Sequence, residues 1–188
     1  MIRFDHVTFG YEAEHPVLRE LSLEIPEGDR VCLTGASGQG KTTVLRLLLG
    51  LEQPQRGAVI RPEGTRFSVV FQEDRLLPWK TALENAALTG SAEDARCWLT
   101  ELGLGDSLDA LPEALSGGMK RRAALARALA HPFDVLVLDE ALTGLDDAAK
   151  ARCLAAIDRA VGPRKTLVMA CHDPAEAAAL VARTVPVA

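Results

Sequence analysis

The sequence has no long hydrophobic run. Its longest apolar stretches, such as Leu47-Leu48-Leu49 and Val135 to Leu138, fall far short of the roughly 20 residues a membrane-spanning helix needs. The chain is therefore not expected to cross a bilayer alone. Met1-Ile2-Arg3-Phe4-Asp5 does not open the apolar stretch of a secretory signal, which points to a cytosolic protein. Basic charge is also lacking: 21 Lys and Arg stand against 26 Asp and Glu, a formal net charge of −5. With no basic field to hold a phosphate backbone, nucleic acid is not an expected partner. The four cysteines, Cys32, Cys97, Cys153 and Cys171, form no CxxC pair. Their apolar neighbours mark them as small buried hydrophobes in a reducing compartment rather than a metal or redox site. There is no internal repeat, low-complexity segment or heptad run.

What remains is an ordinary globular composition over 188 residues, with 48% hydrophobic and 25% charged residues. That suits one domain, or one with a small subdomain. Strands are predicted over 2–9 and 17–25, joined by a turn around Tyr11 to His15, then over 30–34, 58–61 and 66–71. A helix over 41–49 ends at Gly50, a suitable C-cap. Residues 72–130 carry helical patterns at 81–88, 92–102 and 119–130, punctuated by Gly and Pro. Val135-Leu136-Val137-Leu138 reads as a strand buried on both faces, as in a parallel sheet. A helix over 147–161, with its apolar side at Ala151, Leu154, Ala155, Ile157 and Ala160, a strand over 166–170 and a helix over 174–182 complete the chain. The expected class is α/β: a P-loop NTPase core with a mostly parallel sheet, an N-terminal antiparallel β region and an inserted α-helical subdomain. The single domain 1–188 would divide into a core, 1–71 and 131–188, and a helical insertion, 72–130.

Gly35-Ala36-Ser37-Gly38-Gln39-Gly40-Lys41-Thr42 matches G-x-x-x-x-G-K-[ST] between a predicted strand and a predicted helix, the context that pattern requires. Gly35, Gly38 and Gly40 leave room for backbone N–H groups, with Ser37 and Thr43 beside them, to close around the phosphates of a nucleotide. Lys41 supplies a point charge, and the Thr42 hydroxyl is placed to ligate Mg²⁺. This loop alone says only that a nucleoside triphosphate is bound.

Leu115-Ser116-Gly117-Gly118-Met119 precedes a basic, Ala-rich helix, with Val135-Leu136-Val137-Leu138-Asp139-Glu140 downstream. In this order, over nearly the whole chain, the sequence resembles the ATP-binding cassette family of transporter subunits. The resemblance implies roles one position at a time. Tyr11 falls where the family stacks an aromatic ring on adenine. Gln72 matches a glutamine that contacts Mg²⁺ and the attacking water and joins the core to the helical subdomain. Ser116, Gly117 and Gly118 correspond to the signature loop, which caps the γ-phosphate of ATP held by the other subunit; Met119 replaces the commoner glutamine. Asp139 would hold Mg²⁺, Glu140 would be the general base, and His172 would contact the γ-phosphate. Thr143-Gly144-Leu145-Asp146 resembles the loop joining two active sites across a dimer, where Ser-Ala-Leu-Asp is more frequent, so Asp146 is expected near that shared nucleotide. The other histidines, His6, His15 and His131, have no such positional support.

The same resemblance implies an ATPase whose site is completed by a second nucleotide-binding subunit, with two copies closing head to tail around two ATP molecules. ATP and Mg²⁺ are the implied ligands. The implied partner is an integral membrane subunit, with the chain peripheral on the cytoplasmic face of the cell membrane. Leu76-Leu77-Pro78-Trp79, followed by Leu83-Glu84-Asn85, looks most like importer subunits of the nitrate, sulfonate and taurine group, which work with an external solute-binding protein. Leu76, Leu77 and Trp79 fit either a docking patch for the membrane subunit or core packing. Lys120, Arg121 and Arg122 read as a solvated helix face. The end of the chain soon after its last helix carries an expectation of no added regulatory domain. A soluble cassette ATPase acting on nucleic acid or ribosomes is the alternative; it would more often show tandem cassettes or coiled-coil insertions. A nucleotide-binding protein without hydrolysis is a third reading, against which stand Glu140 and His172.

Overall fold

The computed structural model describes residues 1–12 and 15–187, so the middle of the expected turn, residues 13–14, lies outside the described residues. Two sheets are present. A three-stranded antiparallel sheet has the order β2-β1-β4, with β1 Ile2–Phe9, β2 Leu18–Ile25 and β4 Arg56–Ile60. A five-stranded parallel sheet has the order β5-β6-β7-β3-β8, from β3 Arg30–Thr34, β5 Phe67–Val70, β6 Val135–Asp139, β7 Thr166–Ala170 and β8 Arg183–Pro186. The helices are α1 Lys41–Leu49, α2 Ala82–Ala86, α3 Ala92–Glu101, α4 Gly117–Ala130, α5 Asp147–Val161 and α6 Pro174–Ala179.

The apolar runs predicted as central strands are central. Every residue of β6 and β7 is buried, and their alternate side chains feed two different cores. Val135, Val137, Val168 and Ala170 pack with Val31, Leu33, the buried side of α1 and the antiparallel sheet. Leu136, Leu138, Leu167 and Met169 pack with Cys32, α4 and α5. The period of two thus places a layer on each face of the parallel sheet. The helices between β5 and β6 contribute Ala86, Leu99, Leu102, Ala126 and Leu129 to that second core, which runs on without interruption to Cys153, Ile157 and Val161 of α5.

Several local readings change. β8 was not expected: its four residues contain Pro186, and Pro is confined to strand edges or ends, where β8 lies, paired only to β3. The last helix ends at Ala179 rather than 182. On α5 the buried stripe is Ala149, Cys153, Ala156, Ile157 and Val161, while Ala151 and Ala155 face solvent. The sheet selects the face carrying Cys153 and Val161, and alanine is small enough to be left outside. The helix after the Ser-Gly-Gly stretch starts at Gly117, because the Ser116 hydroxyl accepts from Met119 N and caps it there.

Two of the three basic residues at the start of α4 are engaged by loop carbonyls rather than left to solvent. Arg121 donates to Phe71 O and Gln72 O, and Arg122 donates to Gly118 O, Leu102 O and Gly103 O. The triplet of charges hid this, since sequence spacing cannot show that loop carbonyls lie within reach. Cys32, Cys153 and Cys171 are buried and free as expected, but Cys97 is exposed. No helix among the described residues is long and apolar enough to cross a membrane.

Candidate functional site

Four neighbouring parallel strands end at one edge of the sheet, and each hands a polar residue to it. β3 runs into the phosphate-loop segment, β5 is followed by Gln72, β6 ends at Asp139 and passes Glu140, and β7 is followed by His172. In open α/β sheets this carboxyl edge is where ligands bind. A cavity of about 530 Å³ opens there, lined by Tyr11, Ser37, Gly38, Gly40, Lys41, Thr42, Thr43, Gln72, Glu140 and His172. Its size suits a nucleotide-scale ligand.

The loop geometry follows from its glycines. Gly40 has φ +92° and is the N-cap of α1, with no side chain capping the helix. A Cβ there would lie 2.9 Å from both Leu18 and Val17 side chains, so only glycine serves. The uncapped N-terminus of α1 leaves its N–H groups and positive dipole end open to an anion. Lys41 is buried, and its ammonium donates to Gly35 O at 2.8 Å and Ala36 O at 3.0 Å. Gln39 folds across the loop, its side-chain oxygen accepting from Ala36 N at 2.6 Å.

Thr42 and Asp139 meet at the inner wall, where the Thr42 hydroxyl donates to Asp139 Oδ1 at 3.1 Å. Burial pushes the Asp139 carboxyl above its ordinary range, opposed by the Thr42 hydrogen bond and reinforced by Glu140. A smaller pocket of about 90 Å³ joins Thr42, Gln72, Asp139 and Arg46. Beside it, Glu140 has φ +51°, a left-handed backbone that is strained for a residue with a side chain. That turn, fixed by Glu140 N donating to Ala170 O at 3.0 Å, swings the carboxylate toward His172. Glu140 Oε1 and His172 Nε2 are 2.7 Å apart.

Tyr11 stands at the rim, over half exposed, with its ring edge-on to Phe9 at 5.1 Å. Its hydroxyl accepts from Arg46 Nη1 at 3.2 Å and lies 3.5 Å from Thr43 Oγ1. Arg46 lines both cavities and was missed from sequence. Its spacing of four from Thr42 was the available signal, since i and i+4 share a helix face.

Ser116, Gly117, Gly118 and Asp146 do not line this cavity. Ser116 caps α4, and a Cβ on Gly117 would meet nothing within 4 Å. Asp146 caps α5, accepting from Ala149 N at 2.8 Å. The alternatives left open for 76–79 divide: Leu76 packs against the core, while Trp79 is 70% exposed. Fully buried Asn85 shapes the stretch between, accepting from Leu77 N and donating to Leu77 O, Lys80 O and Thr81 O.

A family profile described as ABC transporter matches residues 18–143. The chain is 42% identical over 192 residues to the aliphatic sulfonates import ATP-binding protein SsuB 1 of Agrobacterium fabrum, covering 97% of this chain and 69% of that protein. It is 43% identical over 174 residues to the SsuB 1 protein of Burkholderia cenocepacia, covering 87% of this chain but only 54% of the relative. The fold superposes on the dimeric post-hydrolysis structure of the ATP-binding cassette MJ0796 bound to ADP and Pi. The TM-score is 0.86 at 27% identity, over 95% of this chain and 91% of that one. With its phosphate loop, its Asp139-Glu140 strand end and its Ser116-capped helix in this order on this fold, the chain belongs to the ABC transporter family as an ATP-binding cassette.

Proposed function

We propose that the chain is the ATP-hydrolysing subunit of an importer, working as a head-to-tail pair of copies against a separate membrane subunit. The observation that carries this is the split between two surfaces. The phosphate loop, Asp139, Glu140, Gln72 and His172 share one edge of the sheet, and Ser116 to Gly118 lie outside its cavity with open space above Gly117. One copy therefore supplies an incomplete site, and a second copy presenting Ser116 and the N-terminus of α4 to the γ-phosphate would complete it.

In this reading the phosphate loop and Lys41 hold the β- and γ-phosphates, and Tyr11 supplies a ring for adenine. The inner wall fits Mg²⁺: Thr42, Asp139 and Gln72 offer hard oxygen donors side by side. Among the described residues no cluster of three His, Cys, Asp or Glu side chains forms a protein-only metal cage. That suits an ion that prefers few carboxylates, water and phosphate oxygens. When bound, Mg²⁺ would neutralise charge on the phosphate oxygens. Glu140 takes the proton of the attacking water as the new P–O bond forms at the γ-phosphorus. The bond to the bridging oxygen then breaks, giving ADP and phosphate. His172, 2.7 Å from the Glu140 carboxylate, orients that carboxylate and faces the departing phosphate. Loss of the γ-phosphate removes the bridge to Ser116 of the other copy and reopens the pair.

The segment 72–130 is the helical subdomain that moves against the core formed by 1–71 and 131–188, and Trp79 with its neighbours is the docking surface for the membrane subunit. The chain then sits on the cytoplasmic face of the membrane. The curated relatives at 42% and 43% identity are named for aliphatic sulfonate import, which favours uptake of an organic anion delivered by an external solute-binding protein. The test is purification of tagged Glu140→Gln protein from detergent-solubilised membranes with ATP, followed by mass spectrometry. An integral membrane protein recovered with it supports the reading. Recovery only from the soluble fraction, with ribosomal or DNA-associated proteins, overturns transport and leaves the ATPase.

A further inference from the structure

The segment carrying Gln72 leaves β5 without a main-chain ladder of its own. Among the described residues, no backbone N–H outside the strands and helices reaches the carbonyls of Phe71, Gln72, Asp74 or Arg75. Two arginines of α4 take them instead. Arg121 Nη1 donates to Gln72 O at 2.7 Å and Phe71 O at 3.3 Å, and its Nε lies 3.1 Å from the Asp74 carboxylate. Arg127 donates to Arg75 O and Asp74 O, each at 2.8 Å. A folded-back turn completes the arrangement: Arg75 has φ +47° and stacks its guanidinium 4.2 Å above the Phe71 ring.

These contacts are charge-assisted, and the Arg121 side chain that makes them is itself only 16% exposed. Bonds of that kind are stronger than neutral ones, and the fork of a guanidinium fixes direction as well as distance. Both arginines stand on the helix whose first residue follows Ser116. Arg121 lies five residues from that cap, roughly 8 Å along a rigid helix.

We propose that Arg121 is a positioning residue for Gln72, holding the main chain of that residue so that its side chain is presented beside Thr42 and Asp139. This rests on the function proposed above. It extends that function by naming the side chain that fixes where the Gln72 main chain lies. Arg127 anchors the far end of the same loop and keeps Asp74 and Arg75 from following solvent.

A residue that acts through Gln72 must lose its effect when Gln72 is gone, which a double-mutant cycle reads directly. The cycle uses the full chain, with Arg121→Met, Gln72→Ala and the double variant, measuring kcat and KM for Mg·ATP. Arg121→Met is expected to lower kcat about tenfold and leave KM within about twofold, but to cost less than about twofold in the Gln72→Ala background. Arg121→Lys should restore part of the loss, because an ammonium reaches one carbonyl but not the whole fork. Limited tryptic cleavage after Arg75 should quicken in Arg121→Met and stay slow in the lysine variant. Equal losses in both backgrounds, or no loss in either, overturn the proposal. If the wild-type chain shows no turnover, the failure belongs to the proposed function, and unchanged cleavage after Arg75 in Arg121→Met then overturns this inference separately. If Arg121→Met does not fold, Arg121→Lys carries the same cycle.

Discussion

Replacing Glu140 by glutamine isolates one atom's chemistry. The side chains share their shape, and either amide atom can keep the 2.7 Å contact with His172 Nε2. The left-handed φ of +51° is no harder for glutamine than for glutamate, so the turn after β6 should survive, and an isosteric change this close to the surface falls within about 0.5 kcal/mol in stability. What disappears is the oxygen that can hold a proton. General-base catalysis contributes on the order of 10² to 10⁴ in rate, or about 3 to 5 kcal/mol of barrier. In the proposed site affinity for ATP would rest on the phosphate loop and Lys41, so it should stay within about threefold. The assay is steady-state phosphate release beside equilibrium nucleotide binding on the same preparation. Turnover within about threefold of wild type would remove Glu140 from the proton-accepting role. A matched loss of affinity and turnover would mean that the side chain supports the loop rather than the reaction.

Ser116→Ala should impair hydrolysis while leaving ATP binding to the isolated chain unchanged by equilibrium titration, because Ser116 does not line the cavity; lost binding in the monomer would refute the two-copy site. Asp139→Asn should raise the melting temperature of the nucleotide-free chain at pH 7. Burial lifts the Asp139 pKa above its usual 3.8, so the folded chain holds that proton better and folding loses stability as pH climbs through the folded pKa. The gain from Asn should fade as pH falls toward about 4, and an unchanged or lower melting temperature at pH 7 would contradict it. Asn85→Ala strips partners from Leu77, Lys80 and Thr81 main-chain groups. It should cost about 2–4 kcal/mol, a drop of roughly 5–15 °C by calorimetry, whereas a drop under about 2 °C would mean that solvent replaces the side chain.

The parts of this molecule legible in the sequence are those where a local pattern has one physical solution. Val135 to Leu138 can only be a strand buried twice over, and a Gly-rich loop ending in Lys41-Thr42 before an apolar helix can only open that helix to an anion. Gly50 ended α1 in the left-handed conformation its composition suggested. Illegible parts depend on long-range partners. Arg121 and Arg127 look solvated until the carbonyls of 71–75 arrive from a strand some fifty residues away. Arg46 reads as a helix-surface cation until Tyr11 is brought over it. β8 has too few residues to show a period, and β3 supplies its reason to exist. On α5 the expected side holds at Ile157, Leu154 and Ala160 and fails at Ala151 and Ala155, because alanine is indifferent between core and solvent and only the sheet decides.

The departures from ordinary folding rules gather at one edge. Lys41 is a buried ammonium held by two carbonyls, Asp139 is a buried carboxyl with a raised pKa, and Glu140 takes a backbone conformation that suits glycine better. Each of these destabilises the empty chain, and two would be relieved by the same visitor: phosphates for Lys41 and a divalent cation for Asp139. Strain of this kind persists only where the surroundings over-determine it. Here the surroundings are β6 and β7, whose residues are buried throughout and leave Asp139 and Glu140 no freedom to retreat. Gln72 differs: its loop has no such ladder, and its carbonyl is taken by Arg121 of α4. The candidate site thus combines a half fixed to the parallel sheet with a half bonded to the helix that Ser116 caps. Under the proposed function, nucleotide would be held by the half built on the sheet, and Gln72 would be added to it by the contact with α4.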